Sequence, residues 1–324
     1  MKTIGILTSG GDAPGMNAAI HSVVRTASSL NIECIGFERG FNGLIDNQYR
    51  KLGEQDVKHI SHLGGTILKS ARSPRFLELE FQQRAAAHIR ELNLDGLIVI
   101  GGDGSFKGAQ IVSNQVSIPV IGIPGTIDND ITGTDYTIGF HTAVQTATEA
   151  IDKIRDTADA LERIFLVEVM GHKTGFIAVE VGLTTEAEHI IYPEQELTAK
   201  SIIDNITSEV RHYQKQFPHS SYIVVIAEDS CSNMNTTELA KQLSFETDVD
   251  CRAVVLGHIQ RGGRAISQDR VLATKLGHFA VSALLAGKTN AMVGLINNEL
   301  LLSDFNKTNQ SKKHLDPTLL SLLS

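Results

Sequence analysis

The stretch Val120-Ile121-Gly122-Ile123-Pro124-Gly125-Thr126-Ile127-Asp128-Asn129-Asp130 decides how the rest of the chain is read. It opens as a short apolar run, the pattern of a buried parallel strand, and Pro124-Gly125 is predicted to stop it. Asp128 and Asp130 then stand on a loop at the strand's C-terminal edge, where open α/β sheets bind ligands. Two carboxylates this close share a metal, divide into a base and an electrostatic partner, or bond the backbone of their own turn. The stretch alone leaves all three open.

The N-terminal segment narrows the choice. Thr3–Thr8 reads as a strand that runs into Ser9-Gly10-Gly11-Asp12-Ala13-Pro14-Gly15, and a helix follows from Met16 through Arg25. A strand, a glycine turn and a helix N-terminus cradle anions, because backbone N–H groups approach without a Cβ in the way and the helix dipole favours negative charge. The plainer alternative is a tight turn with Asp12 capping the helix. Ile32–Phe37 is a second strand, and Phe81–Leu92 has the apolar spacing of a helix. Gly96–Ile100, apolar throughout, reads as a central parallel strand covered on both faces. It delivers Gly101-Gly102-Asp103-Gly104-Ser105, with a helix predicted to start near Ser105. Two such turns at one sheet edge point to a polyphosphate ligand. The familiar phosphate motifs do not account for them. Gly171-His172-Lys173-Thr174 is not a Walker A loop, and Lys107 stands where a dinucleotide fingerprint needs its third glycine.

Farther on, Gly139–Ala158 reads as a long helix, and strands are predicted at 164–169, His189–Tyr192, Tyr222–Ala227 and Ala253–Leu256. Helices are predicted near 174–184, 198–215 and Gln268–Ala286, and Ala291–Ile296 is the last predicted strand. Alternation of this kind predicts an α/β protein of two doubly wound, Rossmann-like parallel-sheet domains with chain crossovers between them. The composition agrees with a globular protein: of 324 residues, 42% are hydrophobic and 20% charged. A net charge of −8 with no basic block argues against nucleic-acid partners. No apolar run approaches the ~20 residues of a membrane span, and no signal-peptide core is seen, so the expected location is cytoplasmic. Three cysteines without paired spacing give no support to a disulfide framework or structural zinc.

Taken together, the motifs LTSGGDAPGMNAA (7–19), KSAR (69–72), IGGDGS (100–105), PGTIDNDI (124–131), EVMG (168–171) and LGHIQRGG (256–263) resemble the bacterial ATP-dependent 6-phosphofructokinase family. The resemblance implies transfer of a phosphoryl group from MgATP to the 1-hydroxyl of fructose 6-phosphate, giving fructose 1,6-bisphosphate and ADP. It implies an ATP-binding domain of residues 1–139 and 257–305 and a sugar-phosphate domain of residues 140–256 and 306–324. ATP contacts fall on Gly11, Arg72, Ser73, Gly102, Asp103, Gly104 and Ser105, with Asp103 the residue associated with Mg²⁺. Asp128 would be the base, beside Thr126, Ile127 and Asp130, and Arg72 would bridge the transferring group. Sugar-phosphate contacts fall on Arg163, Met170, Gly171, His172, Glu228, Arg252, His258, Ile259, Gln260 and Arg261. Arg163 and Arg252 would reach in from a neighbouring subunit, which implies a homotetramer. An effector site would use His21, Arg25, Arg155, Glu186 and Glu188. There the pattern is eroded, since His21 and Glu54 stand where arginines are common and Phe217–Ser220 replaces a lysine-rich turn. His172 likewise replaces an arginine. Pyrophosphate-dependent relatives carry aspartate and lysine where this chain has Gly104 and Gly125, so ATP is the expected donor, with glycine leaving room for a nucleotide at both positions. A catalytically silent sensor would be expected to lose Asp128, Arg72 or Asp103, and all three are present.

Overall fold

The computed structural model describes residues 1–231, 234–310 and 312–323. In chain order the regular elements are β1 (Thr3–Ser9), α1 (Met16–Ser29), β2 (Glu33–Phe37), α2 (Phe41–Asp46), β3 (Tyr49–Leu52), α3 (Leu79–Glu91), β4 (Gly96–Gly101) and α4 (Asp103–Gln115). They continue with β5 (Val120–Thr126), β6 (Ile138–Gly139), α5 (Phe140–Leu161), β7 (Ile164–Val169), α6 (Phe176–Thr184), β8 (His189–Ile191), α7 (Ala199–Gln216), β9 (Tyr222–Ala227) and α8 (Thr236–Thr247). The last are β10 (Cys251–Val255), α9 (Ser267–Leu285), β11 (Ala291–Ile296), β12 (Glu299–Asp304), α10 (Phe305–Gln310) and α11 (Pro317–Ser321).

Two compact units divide the chain. The first comprises Met1–Ile127, Ile131–Thr142 and Arg261–Lys313; the second comprises Asp128–Asp130, Ala143–Gln260 and His314–Ser324. The first holds an eight-stranded sheet in the order β12-β11-β5-β4-β1-β2-β3, with β6 beside β5. Its centre is parallel, and every residue of β4 and β5 is buried, as sequences covered by helices on both faces require. Over it, α1 and α9 lie close: a Cβ on Gly277 would stand 2.7 Å from the side chain of Ser22, whose hydroxyl donates to the Thr274 carbonyl at 2.7 Å. The second unit holds a four-stranded parallel sheet, β10-β7-β9-β8. Its core joins Leu166, Val224 and Ile226 to Ile202, Ile206 and Leu239. Among the described residues, no helix is long and apolar enough to cross a membrane.

Four details differ from the sequence reading. Pro124-Gly125 does not end β5, which runs to Thr126. In a parallel sheet alternate residues bond opposite neighbours. The Pro119 carbonyl accepts from Leu97 of β4 and the Val120 carbonyl from Asn290 ahead of β11, so Pro124's missing N–H falls on the β11 side. Pairing with β11 has ended at Gly122, and no ladder bond is lost. Helix α4 starts at Asp103, two residues before Ser105. Ala291–Ile296 is not the last strand: β12 pairs antiparallel with it across Asn297-Asn298, both at positive φ, a two-residue hairpin turn. An antiparallel strand, β3, also closes the opposite edge beside β2.

Candidate active site

The two glycine turns lie side by side because β1 and β4 pair in parallel, with Ser9 opposite Gly101. Ser105 ties them together. Its buried hydroxyl donates to the Ser9 carbonyl at 3.1 Å, and a Cβ on Gly101 would lie 2.4 Å from that hydroxyl oxygen. Ser105 is thus a link between the turns as well as part of one. Gly15, at φ 106°, precedes α1 with no side chain capping it, so the alternative of an Asp12 cap is not realised. Gly11 has a different reason to be glycine. A Cβ there would stand 2.7 Å from Nη1 of Arg261, which donates to the Asp12 carbonyl at 3.3 Å. A guanidinium therefore lies against the first turn.

At the second turn, Asp103 occupies the first turn of α4 and forms an ion pair with Lys107 at 2.6 Å. Among the described residues, no group of three or more His, Cys, Asp or Glu side chains is placed to hold a metal. A cation here would rest on the Asp103 carboxylate, water and donor phosphates, which is how Mg²⁺ is commonly held in nucleotide sites. The residues fit that ion. Gly104 faces open space, since a Cβ there meets nothing within 4 Å. Gly125 differs from expectation: its Cβ would press on Ile100 and Met16 at 3.2 and 3.3 Å, so its smallness serves packing under the sheet. Thr126, at the end of β5, is buried, and its carbonyl accepts from the Thr137 hydroxyl at 2.7 Å.

The loop that carries Arg72 is fastened to this edge by residues the sequence reading passed over. Thr8 donates to the Lys69 carbonyl at 2.8 Å and meets the Thr66 hydroxyl at 3.1 Å. Asn17, almost fully buried, accepts from Ile67 N at 2.7 Å and donates to the carbonyls of Leu63 and Gly64 at 3.1 and 3.2 Å. The available signal was a polar residue on the core-facing stripe of an amphipathic helix, which must find partners when buried. Gly10 N reaches the Ala71 carbonyl at 3.4 Å.

In the second unit, Glu228 organises the Gly171–Thr174 loop. Its Oε1 accepts from Gly171 N at 3.2 Å and His172 N at 2.7 Å, while its own N–H bonds the Val169 carbonyl. Gly171 at φ 150° and His172 at φ 55° are the backbone positions that aim both amides at one oxygen. Thr174 closes the loop onto the Gly171 carbonyl at 2.9 Å and reaches the Asp128 carbonyl at 3.5 Å. Asn129, between the two aspartates, is buried at φ 52°. Gln260 turns inward. Fully buried, it accepts from Met170 N at 3.4 Å and donates to the Gly257 carbonyl at 3.1 Å, so it shapes the loop. His258 and Ile259 beside it are exposed. Arg163 and Arg252 converge on one carboxylate: Arg163 Nε lies 2.8 Å and Arg252 Nε 3.0 Å from Asp250.

The expected effector residues divide between the units. Arg155 is engaged within its own unit, pairing through Nη1 with Glu188 at 2.9 Å and donating from Nη2 to the carbonyls of Thr185 and Glu186 at 3.1 and 3.0 Å. Glu188 also accepts from Ile223 N at 2.6 Å. His21 and Arg25 lie on α1 of the first unit. Burial, and then the charge of Arg25, hold the His21 imidazolium below its usual range, so His21 is neutral at pH 7.

A parallel sheet that sets two glycine turns together under helix N-termini, with an arginine loop fastened beside them, defines an α/β protein built to handle phosphoryl groups. A family profile described as Phosphofructokinase matches residues 3–284, and the chain belongs to the phosphofructokinase family. ATP-dependent 6-phosphofructokinase 1 of Thermus thermophilus is 46% identical over 322 residues, covering 99% of this chain and 98% of that one. The ATP-dependent 6-phosphofructokinase of Macrococcus caseolyticus is 47% identical with the same coverage. Among solved structures, phosphofructokinase of Saccharomyces cerevisiae superposes with a TM-score of 0.88 at 30% identity, covering 96% of this chain and 45% of the yeast chain. A pyrophosphate-dependent phosphofructokinase of Marinobacter aquaeolei shares the fold, at TM-score 0.86 and 22% identity.

Proposed function

We propose that the protein transfers the γ-phosphoryl group of ATP to the 1-hydroxyl of fructose 6-phosphate, the committed step of glycolysis. The observation that carries this reading is the joined pair of glycine turns with the Arg72 loop fastened to their edge. Phosphoryl transfer leaves a protein little covalent work, so positioning and charge stabilisation dominate. Backbone N–H groups of the two turns hold the donor's phosphates. Arg72 stabilises charge on the transferring group. Asp128 accepts the hydroxyl proton as the sugar oxygen attacks. Mg²⁺, held through Asp103, supplies further neutralisation when bound. The paired amides on Glu228 leave its second oxygen to accept from a sugar hydroxyl, while arginine forks suit the 6-phosphate. Open space at Gly104, and 46–47% identity over 322 residues to ATP-dependent relatives, support ATP over pyrophosphate. The same reading implies a homotetramer in the cytoplasm with Arg163 and Arg252 serving the neighbouring subunit's site.

A coupled assay with fructose 6-phosphate and either ATP or pyrophosphate tests the reading. Activity with ATP alone is expected. Asp128→Ser should lower kcat by on the order of 10² or more with little change in the KM for ATP. A near-normal kcat in that variant removes Asp128 as the base.

A further inference from the structure

The Arg72 segment has an anchor outside every motif. Helix α2 is fixed close to the glycine turns. A Cβ on Gly40, just before it, would stand 2.7 Å from the Thr8 carbonyl, and buried Phe41 stacks on Phe76 at 4.5 Å between ring centroids. Phe41 also fills the space over Gly108 of α4, whose Cβ would lie 2.7 Å from the ring. With α2 immobilised by its phenylalanine, Asn42 and Asp46 sit one helical turn apart on the same face.

Among the described residues, the side-chain hydrogen bonds of these two residues run to residues 72–75. Asn42 Nδ2 donates to the Arg72 carbonyl at 3.3 Å, and Asn42 Oδ1 accepts from Ser73 Oγ at 2.7 Å and Arg75 Nη2 at 3.2 Å. Two donors meet at Oδ1, so only one orientation of the amide satisfies the network. Arg75 then forks onto Asp46, with Nη2 to Oδ2 at 2.7 Å and Nη1 to Oδ1 at 3.3 Å, and its guanidinium lies 5.3 Å over the Phe81 ring. A planar fork held by a carboxylate, an amide and an aromatic face has little freedom left.

We propose that Asn42 is a positioning residue for the phosphoryl transfer, setting the Arg72–Ser73 backbone, with the Asp46–Arg75 pair as its brace. This rests on the reading of Arg72 as the arginine that bridges the transferring group. The arrangement suits that role. Asn42 grips the backbone of Arg72 and the hydroxyl of Ser73 and leaves the Arg72 guanidinium to the substrate. Since α2 is held by Phe41 packing, removing the Asn42 amide loosens the segment without removing the helix.

The test compares Asn42→Ala and Asn42→Asp with the wild type, alone and combined with Arg72→Ala. Asn42→Asp keeps an acceptor for Ser73 and Arg75 but loses the donor to the Arg72 carbonyl. Both variants should lower kcat about tenfold, or ~1.4 kcal/mol of barrier, with the KM for fructose 6-phosphate changed less than twofold. In the Arg72→Ala background, Asn42→Ala should add nothing, because its effect runs through Arg72. An unchanged kcat, or the same tenfold loss in both backgrounds, overturns the proposal. Hydrogen–deuterium exchange across 69–76 provides a readout without substrate: faster exchange in Asn42→Ala, with the rest of the protein unchanged, is expected. Unchanged exchange there overturns the bracket. An inactive wild type with faster exchange in the variant overturns the kinase reading instead.

Discussion

The arginines of the two units are held in opposite ways. In the first unit the backbone around Arg72 is tied down by Thr8, Gly10 and Asn42, while the exposed side chain forms no ion pair with any described residue. In the second, Arg163 and Arg252 share a resident carboxylate, Asp250, beside the edge strand β10. The difference teaches where rigidity is needed. A cation that meets charge only as it develops must already be in place and must not be neutralised by a resident partner. If Arg163 and Arg252 bind a stable phosphate, as proposed, a resident carboxylate can orient them: Asp250 takes Nε of Arg163, and Nε and Nη2 of Arg252. Hydrogen bonds to backbone hold the first arginine's segment, and a half-exposed ion pair holds the other two.

The comparison is tested most severely at Asn17. Asn17→Ala leaves the Leu63 and Gly64 carbonyls and the Ile67 amide without their partner, at roughly 1–3 kcal/mol for each group left unsatisfied. A loss of about 3 kcal/mol or more is expected, and calorimetry should show a fall in Tm of at least about 6 °C. An unchanged Tm would mean the Arg72 loop is not fastened as described. A smaller effect is expected at Asp250, where exposed pairs contribute at most ~1 kcal/mol each. Asp250→Ala should raise the KM for fructose 6-phosphate about three- to tenfold and leave kcat and Tm nearly unchanged. A fall in KM would show that Asp250 competes with the sugar phosphate instead of orienting its arginines.

Smaller still is the response to anionic effectors. Nη1 and Nη2 of Arg155 already bond Glu188, Thr185 and Glu186, and His21 is neutral at pH 7. Fructose 6-phosphate saturation at pH 7.5 should therefore move less than about twofold with millimolar phosphoenolpyruvate, against the 5- to 150-fold of typical allosteric coupling. A large rightward shift relieved by ADP would show that these contacts open. The smallest expected effect is on acid stability at the Asn42 bracket. The hydrogen bond from Arg75 holds the Asp46 carboxyl below the usual carboxylate range. A lowered folded-state value means the contribution is complete above the ordinary carboxylate pKa near ~4 and is lost as pH falls through the folded value. The Tm gap between the wild type and Asp46→Asn should be constant from about pH 5 to 7 and close toward pH 3. A gap that persists at pH 3 would assign the stabilisation to Asp46 packing.

Much of this protein is written locally. The fully apolar β4 and β5, the glycine turns after β1 and β4, and the apolar spacing of α1 and α3 each satisfy a requirement within ten or so residues, so the alternating α/β order and the turn that presents Asp103 were readable in the chain. The Asn297-Asn298 hairpin before β12 was equally local and was passed over, since the two asparagines are themselves the turn signal. Pro124 misled because its meaning depends on which neighbour its face of β5 meets, and that neighbour, β11, is 170 residues away. The same holds for the polar side chains that hold the site. Asn17 bonds a loop 46 to 50 residues on, Asn42 one 30 residues on, and Ser105 a carbonyl 96 residues back. Sequence by itself determined the residue types that phosphoryl chemistry requires and the turns that present them. Only the tertiary structure decided that Gly125 is small for packing, that Gln260 faces inward, and that Asp250 lies under two arginines. The physical reason is range: periodicity and turn chemistry act between near neighbours, whereas a buried polar group takes whatever partner the packed chain brings to it.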